Sequence, residues 1–392
     1  MTDVTRGARP KAAIWNDRDF RGVLAQVVTI SVIVAVVWYL VHNTLTNLAA
    51  RHIATGFGFL NGEAGFGISE SVIPFSPANT YLRALAVGLL NTLKIAVVGI
   101  VLATLWGTIL GVARLSTNWL IRKLTSWYVE IFRNTPLLLQ LFLWYAVVQS
   151  LPPARQPFKP LPGVFLSQKG LVFPVLEPEP IHLWMALLGI VGVGVAWWWA
   201  KRAKAHQMAT GQIRPVLLPA LGAILGLPLI AWLVAGAPWQ LEIPELRGFN
   251  FAGGATISPE LVALLFGLVM YTASYIAEIV RAGILAVPRG QTEAARALGL
   301  PGGRILRLVV LPQALRVIVP PTTSQYLNLT KNSSLAVAIG FPDLMSVVNT
   351  TINQTGQAVE AIALAMAVYL TISLAISTFM NWYNARIRLV ER

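Results

Sequence analysis

Residues 293–312 read Glu-Ala-Ala-Arg-Ala-Leu-Gly-Leu-Pro-Gly-Gly-Arg-Ile-Leu-Arg-Leu-Val-Val-Leu-Pro, and they lie between two long apolar segments. The alanine-rich start favours a helix, and Gly299 followed by Pro301-Gly302-Gly303 ends it in a turn. A second helix is predicted from Arg304, and Pro312 bends the chain towards the next apolar segment. The pattern predicts an ordered helix–turn–helix loop. On residues alone, such a loop can bind a partner protein or lie on lipid headgroups as an amphipathic segment.

The composition of the 392-residue chain is that of a membrane protein. Hydrophobic residues make up 56% of it and charged residues only 12%, whereas soluble domains carry roughly 25% charged residues. The net charge of +14 needs no nucleic acid to explain it, because basic residues cluster in short loops between apolar runs. The sequence contains no cysteine and four scattered histidines. We therefore predict neither a metal site nor a catalytic centre.

Eight segments are predicted to span the membrane, at roughly 23–42, 84–113, 127–150, 181–200, 215–236, 259–281, 315–340 and 359–382. With a cytoplasmic N-terminus, 21 of the 30 Lys and Arg residues fall on the cytoplasmic side and 6 on the outer side. This bias fixes the orientation, because basic residues accumulate in cytoplasmic loops. The sequence thus predicts an all-α polytopic membrane protein with both termini, and the loop 281–316, in the cytoplasm.

Four parts of the chain are predicted. Residues 1–83 hold the N-terminal tail, the first span and an outer loop, and residues 84–150 and 259–392 hold five further spans. Residues 151–258 lie between these two groups of spans and hold outer loops and a helical hairpin. The hairpin spans carry few polar residues, so we expect them to pack peripherally, facing lipid. The Gly- and Pro-rich outer segments 43–80 and 151–180 are predicted to be ordered loops on the membrane face, not separate domains.

The span at 315–340 is too polar to face lipid. Its middle is predicted to be interrupted by Pro320-Pro321, and Ser324, Asn328 and Lys331 fall on one helical face. Such a segment lines a cavity or is buried against protein. Hydrogen bonding that holds helices together is the alternative, and the two roles are not exclusive. The candidate pathway residues in this span are Ser324, Asn328, Lys331, Asn332 and Ser333.

The span at 259–281 carries a stripe of aromatic and polar groups that ends in a carboxylate. Tyr271, Tyr275 and Glu278 lie on one helical face. Aromatic rings beside a buried carboxylate can receive an ammonium group, so Tyr275 and Glu278 are also candidate pathway residues. The alternative is an ion pair between Glu278 and Arg281 one turn apart at the inner interface.

Two other patterns concern helix bending and packing. Glu130 and Arg133 stand just before Asn134-Thr135-Pro136, which is predicted to break the helix. A kinked entrance of this kind is compatible with a gate or with a plain salt-bridged helix start. Gly107 and Gly111 form a Gly-x-x-x-Gly pair that permits close helix packing.

The loop at 293–312 resembles the EAA loop of bacterial ABC-importer permeases. The match consists of Glu293, Ala294, Ala295, Gly299 and Leu311-Pro312 at the family's spacing, with Val309 where isoleucine is usual. Other stretches resemble the polar-amino-acid branch of these permeases, namely 91–93, 128–138, 277–283, 311–314 and 331–335. The resemblance covers about 86–150 and 259–385 and implies a type I permease core of five spans. The added first span and the insert give a layout similar to the Q-type permease subunits of general L-amino-acid importers.

The resemblance implies a permease subunit of an ATP-driven importer that moves L-amino acids from periplasm to cytoplasm across the bacterial inner membrane. It implies that Glu293, Ala294, Ala295, Gly299, Leu311 and Pro312 couple the chain to an ATPase. The expected partners are an ATPase dimer, a second permease that is a related chain, a periplasmic amino-acid-binding protein and membrane lipid. The sequence has no Gly-x-x-x-x-Gly-Lys-Ser/Thr loop. We therefore expect ATP and Mg²⁺ on the ATPase and no cofactor on this chain.

An ion-coupled secondary transporter is the alternative function, with Glu278 as its ion or proton site. That class predicts inverted repeats, which are not evident in the sequence, and it leaves the loop at 293–312 unexplained. A membrane enzyme would need a nucleophile or a metal cluster, and the residues support neither.

Overall fold

The computed structural model describes residues 18–51, 55–177, 179–237, 240–248 and 250–387. Several basic residues that support the predicted orientation lie outside this part of the chain: Arg6, Arg9, Lys11, Arg388 and Arg392. The described helices are α1 (Arg18–Ala50), α2 (Tyr81–Ala113), α3 (Trp119–Asn134), α4 (Leu137–Gln149), α5 (Pro180–Thr210), α6 (Leu217–Leu221), α7 (Leu227–Val234), α8 (Pro259–Leu285), α9 (Arg289–Ala297), α10 (Gly302–Ile305), α11 (Leu311–Asn332), α12 (Leu344–Thr355) and α13 (Ala358–Ile387).

Short irregular turns and small strands complete the described elements. Turns of 3₁₀ helix span Gly58–Asn61 and Ser333–Ile339, and π-helical turns span Gly222–Gly226 and Leu306–Val310. The strands are β1 (Phe158–Leu161), β2 (Val164–Ser167), β3 (Gly170–Phe173), β4 (Val175–Leu176), β5 (Leu241–Glu242), β6 (Glu245–Arg247), β7 (Asn250–Ala252) and β8 (Ala255–Ile257).

The described helices confirm the predicted class, a polytopic α-helical membrane protein with about eight spans. Seven helical stretches are long and apolar enough to cross a membrane: Asp19–Ala50, Tyr81–Ala113, Pro180–Thr210, Leu217–Val234, Pro259–Leu285, Gly302–Ile339 and Ala358–Arg386. The eighth is the pair α3 and α4, which is bent by 109°. The bend falls at Thr135-Pro136, where the sequence predicts a break, because the residue before a proline avoids the helical conformation.

The described chain forms two compact units. The first contains the described residues up to Leu93, together with Pro342–Thr378. In it the start of α2 packs against α12 and α13 through a core that includes Ala84, Leu85 and Val348. Buried Asn91 ties this unit together, because its Nδ2 donates to the carbonyl oxygens of Glu70 and Pro342, both at 2.8 Å.

The second unit contains the described residues from Lys94 to Phe341 and from Phe379 onwards, and α8 lies at its centre. One apolar cluster joins α4 to α8, with Leu141 and Leu264 fully buried. Another joins α2, α8 and α11.

The Gly-x-x-x-Gly pair, Gly107 and Gly111, lies where α2 packs against α8. An added Cβ at Gly107 would lie 2.7 Å from Ile276 Cβ, and one at Gly111 would lie 2.7 Å from the Ala277 carbonyl oxygen. Glycine at these two positions therefore allows α2 to approach α8 closely.

The predicted interruption at Pro320-Pro321 is wrong, because both prolines lie inside the continuous helix α11. A membrane helix tolerates proline where neighbouring helices support it. Here α8 supports α11 at close range, since an added Cβ at Gly283 would lie 2.3 Å from the Ile318 side chain. Packing across this contact keeps the helix continuous despite the two missing N–H donors.

The insert at 151–258 contains the predicted hairpin, and it also contains strands that the sequence did not indicate. Helix α5 packs on the α6–α7 segment, with Gly192 next to the Ala223 carbonyl. The flanks of the hairpin pair with each other in a four-stranded antiparallel sheet of order β1-β2-β3-β8. Strand β3 meets β8 with Leu171 opposite Ile257. The predicted loops are thus partly strands held by pairing between distant segments.

Candidate functional site

The loop between α8 and α11 is ordered as the sequence predicts. Helix α9 ends in a Schellman motif, in which Gly299 N–H donates to the Arg296 carbonyl at 2.9 Å and Leu300 N–H donates to the Ala295 carbonyl at 3.2 Å. Gly299 has a φ of +74°. An added Cβ there would meet no atom within 4 Å. Backbone conformation alone therefore makes glycine the suitable residue at this turn.

The α9 surface, defined here as Glu293, Ala294, Ala297 and Leu298, is exposed along one side of the loop. Leu298 is 81% exposed, an unusual position for a large apolar side chain. Leu298 is not among the residues predicted from the sequence, although it directly precedes the turn at Gly299. An acidic group, two small side chains and one apolar group form a surface that a protein partner can contact closely.

The other predicted coupling residues occupy different environments. Gly299 is exposed and Leu311 is 44% exposed, while Pro312 is half-buried at the start of α11. Ala295 is only 4% exposed, so it packs inward and does not reach the surface. The structure therefore gives Ala295 a supporting position beneath the α9 surface.

A matched pair of glycine variants tests the turn at Gly299. Gly299→Ala is expected to lower the free energy of unfolding by about 1 kcal/mol, because an L-residue is strained at positive φ. Gly290→Ala is the control, since Gly290 lies within α9 and has equally open surroundings. It should stabilise the chain slightly. Thermal unfolding of the two purified variants gives the comparison, and equal melting temperatures would contradict the strained turn.

The polar residues of α11 and the turn after it divide into an exposed set and a buried set. Ser324, Asn328 and Lys331 are exposed and share one face, as predicted. Asn332 is half-buried, and Ser333 is fully buried and donates to the Thr330 carbonyl at 2.7 Å. A membrane-spanning helix does not present such a face to lipid, so another protein surface or water must cover it. Ser333 instead satisfies its hydroxyl locally, on a carbonyl three residues earlier, so this bond joins no two helices.

Glu278 lies in a cluster of arginines. Arg281 Nη2 donates to Glu278 Oε1 at 2.7 Å, and Arg114 donates to Oε2 from the end of α2. Arg133 Nη1 lies 3.8 Å from Oε2. The predicted Glu278–Arg281 pair is therefore present. Three guanidinium groups around one carboxylate leave the cluster with excess positive charge, so it is poorly suited to receive an ammonium group.

Tyr275 links this cluster to the aromatic stripe of α8. Its ring lies 5.1 Å from the Arg133 guanidinium carbon, and its hydroxyl lies 3.1 Å from that of Tyr271. Arg133, on α3, thus contacts both Glu278 and Tyr275 on α8. Arg114 could not be identified from the sequence, because its pairing with Glu278 joins residues 164 positions apart and no local spacing reveals it.

Comparison with known proteins assigns the sequence of this chain to a family. The profile of the family described as "Binding-protein-dependent transport system inner membrane component" matches residues 99–389. The general L-amino acid transport system permease protein AapQ of Rhizobium johnstonii is 49% identical over 96% of this chain and 94% of its own length. The putative amino-acid ABC transporter permease protein YhdX of Escherichia coli K12 is 50% identical over 98% and 96%.

A third relative is the glutamate/glutamine/aspartate/asparagine transport system permease protein BztB of Rhodobacter capsulatus. It is 41% identical over 98% of this chain and 98% of its own length. These matches extend through α1 and the insert as well as the core that the sequence motifs cover. The chain therefore belongs to the family of binding-protein-dependent transport system inner membrane components.

Proposed function

We propose that this chain is a transmembrane permease subunit of an ATP-driven importer that moves L-amino acids from the periplasm to the cytoplasm. The observation that carries the proposal is the α9 surface, an ordered and exposed surface on a loop between two spans of a family transport component. The substrate class is supported by the relatives, whose names describe amino-acid permeases and which match nearly the whole chain.

The first partner is inferred from the absence of an ATP-binding motif in the sequence. Its sequence has no phosphate-binding loop. ATP hydrolysis with Mg²⁺ therefore belongs to a separate ATPase dimer, which docks on the α9 surface. Gly299, Leu311 and Pro312 are further coupling residues in this proposal. A periplasmic amino-acid-binding protein delivers substrate to the outer face. A second, related permease covers the exposed face of Ser324, Asn328 and Lys331, and the pathway runs along that face.

In this assembly the chain is a multi-pass protein of the bacterial inner membrane with both termini in the cytoplasm. The α9 surface then lies on the cytoplasmic side, where the ATPase can reach it. The secondary-transporter alternative is disfavoured, because Glu278 is surrounded by three arginines and is a poor proton or cation site.

Purification of the intact complex tests the proposal. Mild detergent extraction of the tagged chain from its native membrane should recover a second permease and an ATPase. The preparation should hydrolyse ATP faster when loaded amino-acid-binding protein is added. Recovery of the chain alone, with no associated ATP hydrolysis, would contradict the proposed function.

The inserted hairpin is expected to play no part in substrate choice. Leu188 lies on α5, which packs on α6 and α7, so Leu188→Ala should change only local packing. We expect uptake ratios among acidic, amide and apolar amino acids to stay within about twofold of the unmodified chain. Competition uptake assays measure these ratios. A change of selectivity would place the hairpin on the substrate path.

A further inference from the structure

An open groove of about 680 Å³ lies where α2 ends and α3 begins. Its walls are uncharged and mostly apolar, and they include Ile109 and Val112 from α2, Leu115 from the connecting loop and Ile121 from α3. Ile109 is 57% exposed and Val112 is 52% exposed, so both side chains are accessible from outside the chain. Because α2 is long and apolar enough to cross a membrane, bilayer hydrocarbon surrounds this part of the groove.

The apolar wall extends from the groove further along α2. Thr108 and Val112 also line a second cavity, of about 410 Å³, whose other walls include α8 and α11. This cavity reaches Thr104, whose hydroxyl donates to the Ile100 carbonyl at 2.6 Å. From Val112 to Thr104 the wall measures about 12 Å along the helix axis. One leaflet contributes about 15 Å to the hydrocarbon core, so the wall can follow most of an acyl chain.

Arg122 stands at the rim of the groove. Its Nη1 donates to the carbonyl oxygen of Ser116 at 3.4 Å, and Ser116 is itself one of the lining residues. Arg122 is exposed, and among the residues that the structure describes it forms no salt bridge. Its remaining N–H groups are therefore available to an anion. A guanidinium suits phosphate, because it can donate to two oxygens at once.

Helix α3 has the pattern of a helix that lies at a membrane surface. Leu120, Leu124, Trp127 and Ile131 are exposed and lie four, three and four residues apart, on one helical face. The opposite face packs on α8 through buried Val129. The bend of 109° before α4 turns α3 away from the direction of that helix. Amphipathic helices at a membrane surface place their apolar face among acyl chains and their basic residues at the headgroups.

Lys123 adds a second positive charge beside Arg122. Its Nζ lies 5.4 Å from the centre of the Trp127 ring, which holds the ammonium group at the edge of the apolar face. No carboxylate in the described part of the chain pairs with Lys123. Two adjacent cations at a membrane surface favour an anionic lipid over a zwitterionic one.

We propose that the groove binds one anionic phospholipid, with an acyl chain along α2 and its phosphate on Arg122. The inference rests on the membrane placement in the proposed function, in which this end of α2 lies in the cytoplasmic leaflet. The phosphate supplies the negative charge that Arg122 and Lys123 lack within the described chain. The acyl chain covers Ile109 and Val112. Free phosphate would leave these apolar walls uncovered, so a lipid is the occupant that suits both parts of the groove.

Native mass spectrometry of the detergent-purified chain, with the subunits that accompany it, tests the site. The probes are phosphatidylglycerol and phosphatidylcholine with the same acyl chains, and the measured quantity is the ratio of their affinities for the most tightly held lipid. The unmodified protein should prefer phosphatidylglycerol. We expect Arg122→Gln to lower the ratio roughly fivefold, because each basic residue near an anionic lipid contributes about that factor.

Two more variants complete the experiment. Arg202→Gln is the control, because it removes the same charge from an exposed position on α5, where the guanidinium carbon lies 4.3 Å from the Trp198 ring centre. It should leave the ratio unchanged. Val112→Trp fills the groove and keeps both cations, so the affinity for both lipids should fall roughly tenfold as methylene groups lose their apolar contacts.

An unchanged ratio in Arg122→Gln, as expected if the second permease covers the groove, would overturn the inference. Unchanged affinities for both lipids in Val112→Trp would also overturn it, because the lipid would then lie elsewhere. The measurement requires no transport, so a failure of the proposed function would appear separately, as a lack of uptake by the complete assembly.

Discussion

Glu293→Lys is expected to abolish coupled uptake while leaving the chain inserted in the membrane. The side chain is exposed on the α9 surface, so the substitution leaves the packing of the chain intact. In the proposed complex it reverses a charge at a protein interface, and a like-charge contact there costs several kcal/mol. Stimulation of ATP hydrolysis by loaded binding protein should therefore fall at least tenfold in the reconstituted complex.

Gln291→Lys is the matched control for Glu293→Lys. Gln291 is also exposed on α9, but two residues away it points to the other side of the helix. We expect this variant to keep most of the stimulation. If Glu293→Lys kept the stimulation of the unmodified complex, the α9 surface would not be the coupling element.

Gly111→Val is expected to separate α2 from α8 and to destabilise the chain severely. The new Cβ would fall 2.7 Å from both the Ala277 carbonyl oxygen and Val280 Cβ, closer than atoms can approach. Overpacking of this kind typically lowers the free energy of unfolding by about 1–3 kcal/mol. Because this clash involves helix backbone, we expect a loss of about 3 kcal/mol or more. Loss of helical circular dichroism on heating the detergent-purified chain reports the effect.

Gly194→Val controls for the intrinsic cost of valine in a membrane helix. Gly194 lies in α5, and an added Cβ there would meet no atom within 4 Å. Its melting temperature should stay close to that of the unmodified chain. Equal melting temperatures for the two variants would show that α2 and α8 do not pack through Gly111.

The sequence predicted those features of the fold that depend on local patterns. The length of apolar runs located the spans, Thr135-Pro136 located the bend, and Gly299 located the left-handed turn. The strands of the insert could not be predicted, because β3 pairs with β8 from the other flank of the hairpin. The break at Pro320-Pro321 was wrongly predicted, because contact with α8 outweighs the local effect of proline.

Contacts within the candidate sites could likewise be predicted only where residues lie close together in the sequence. The Glu278–Arg281 pair is three residues apart and could be found by spacing. Arg114 joins it only through the tertiary packing of α2 on α8. The helical face of Ser324, Asn328 and Lys331 was predicted, whereas the burial of Ser333 follows from the 3₁₀ turn that begins there.

Accumulation of a labelled amino acid in liposomes tests whether this chain transports only as part of an ATP-driven complex. The chain would be reconstituted with its partner permease, its ATPase and its binding protein, and compared with the chain reconstituted alone. We predict uptake against a gradient only in the complete assembly with ATP and Mg²⁺ on the ATPase side. Uptake by the lone chain driven by an ion or proton gradient would contradict the account and favour a secondary transporter.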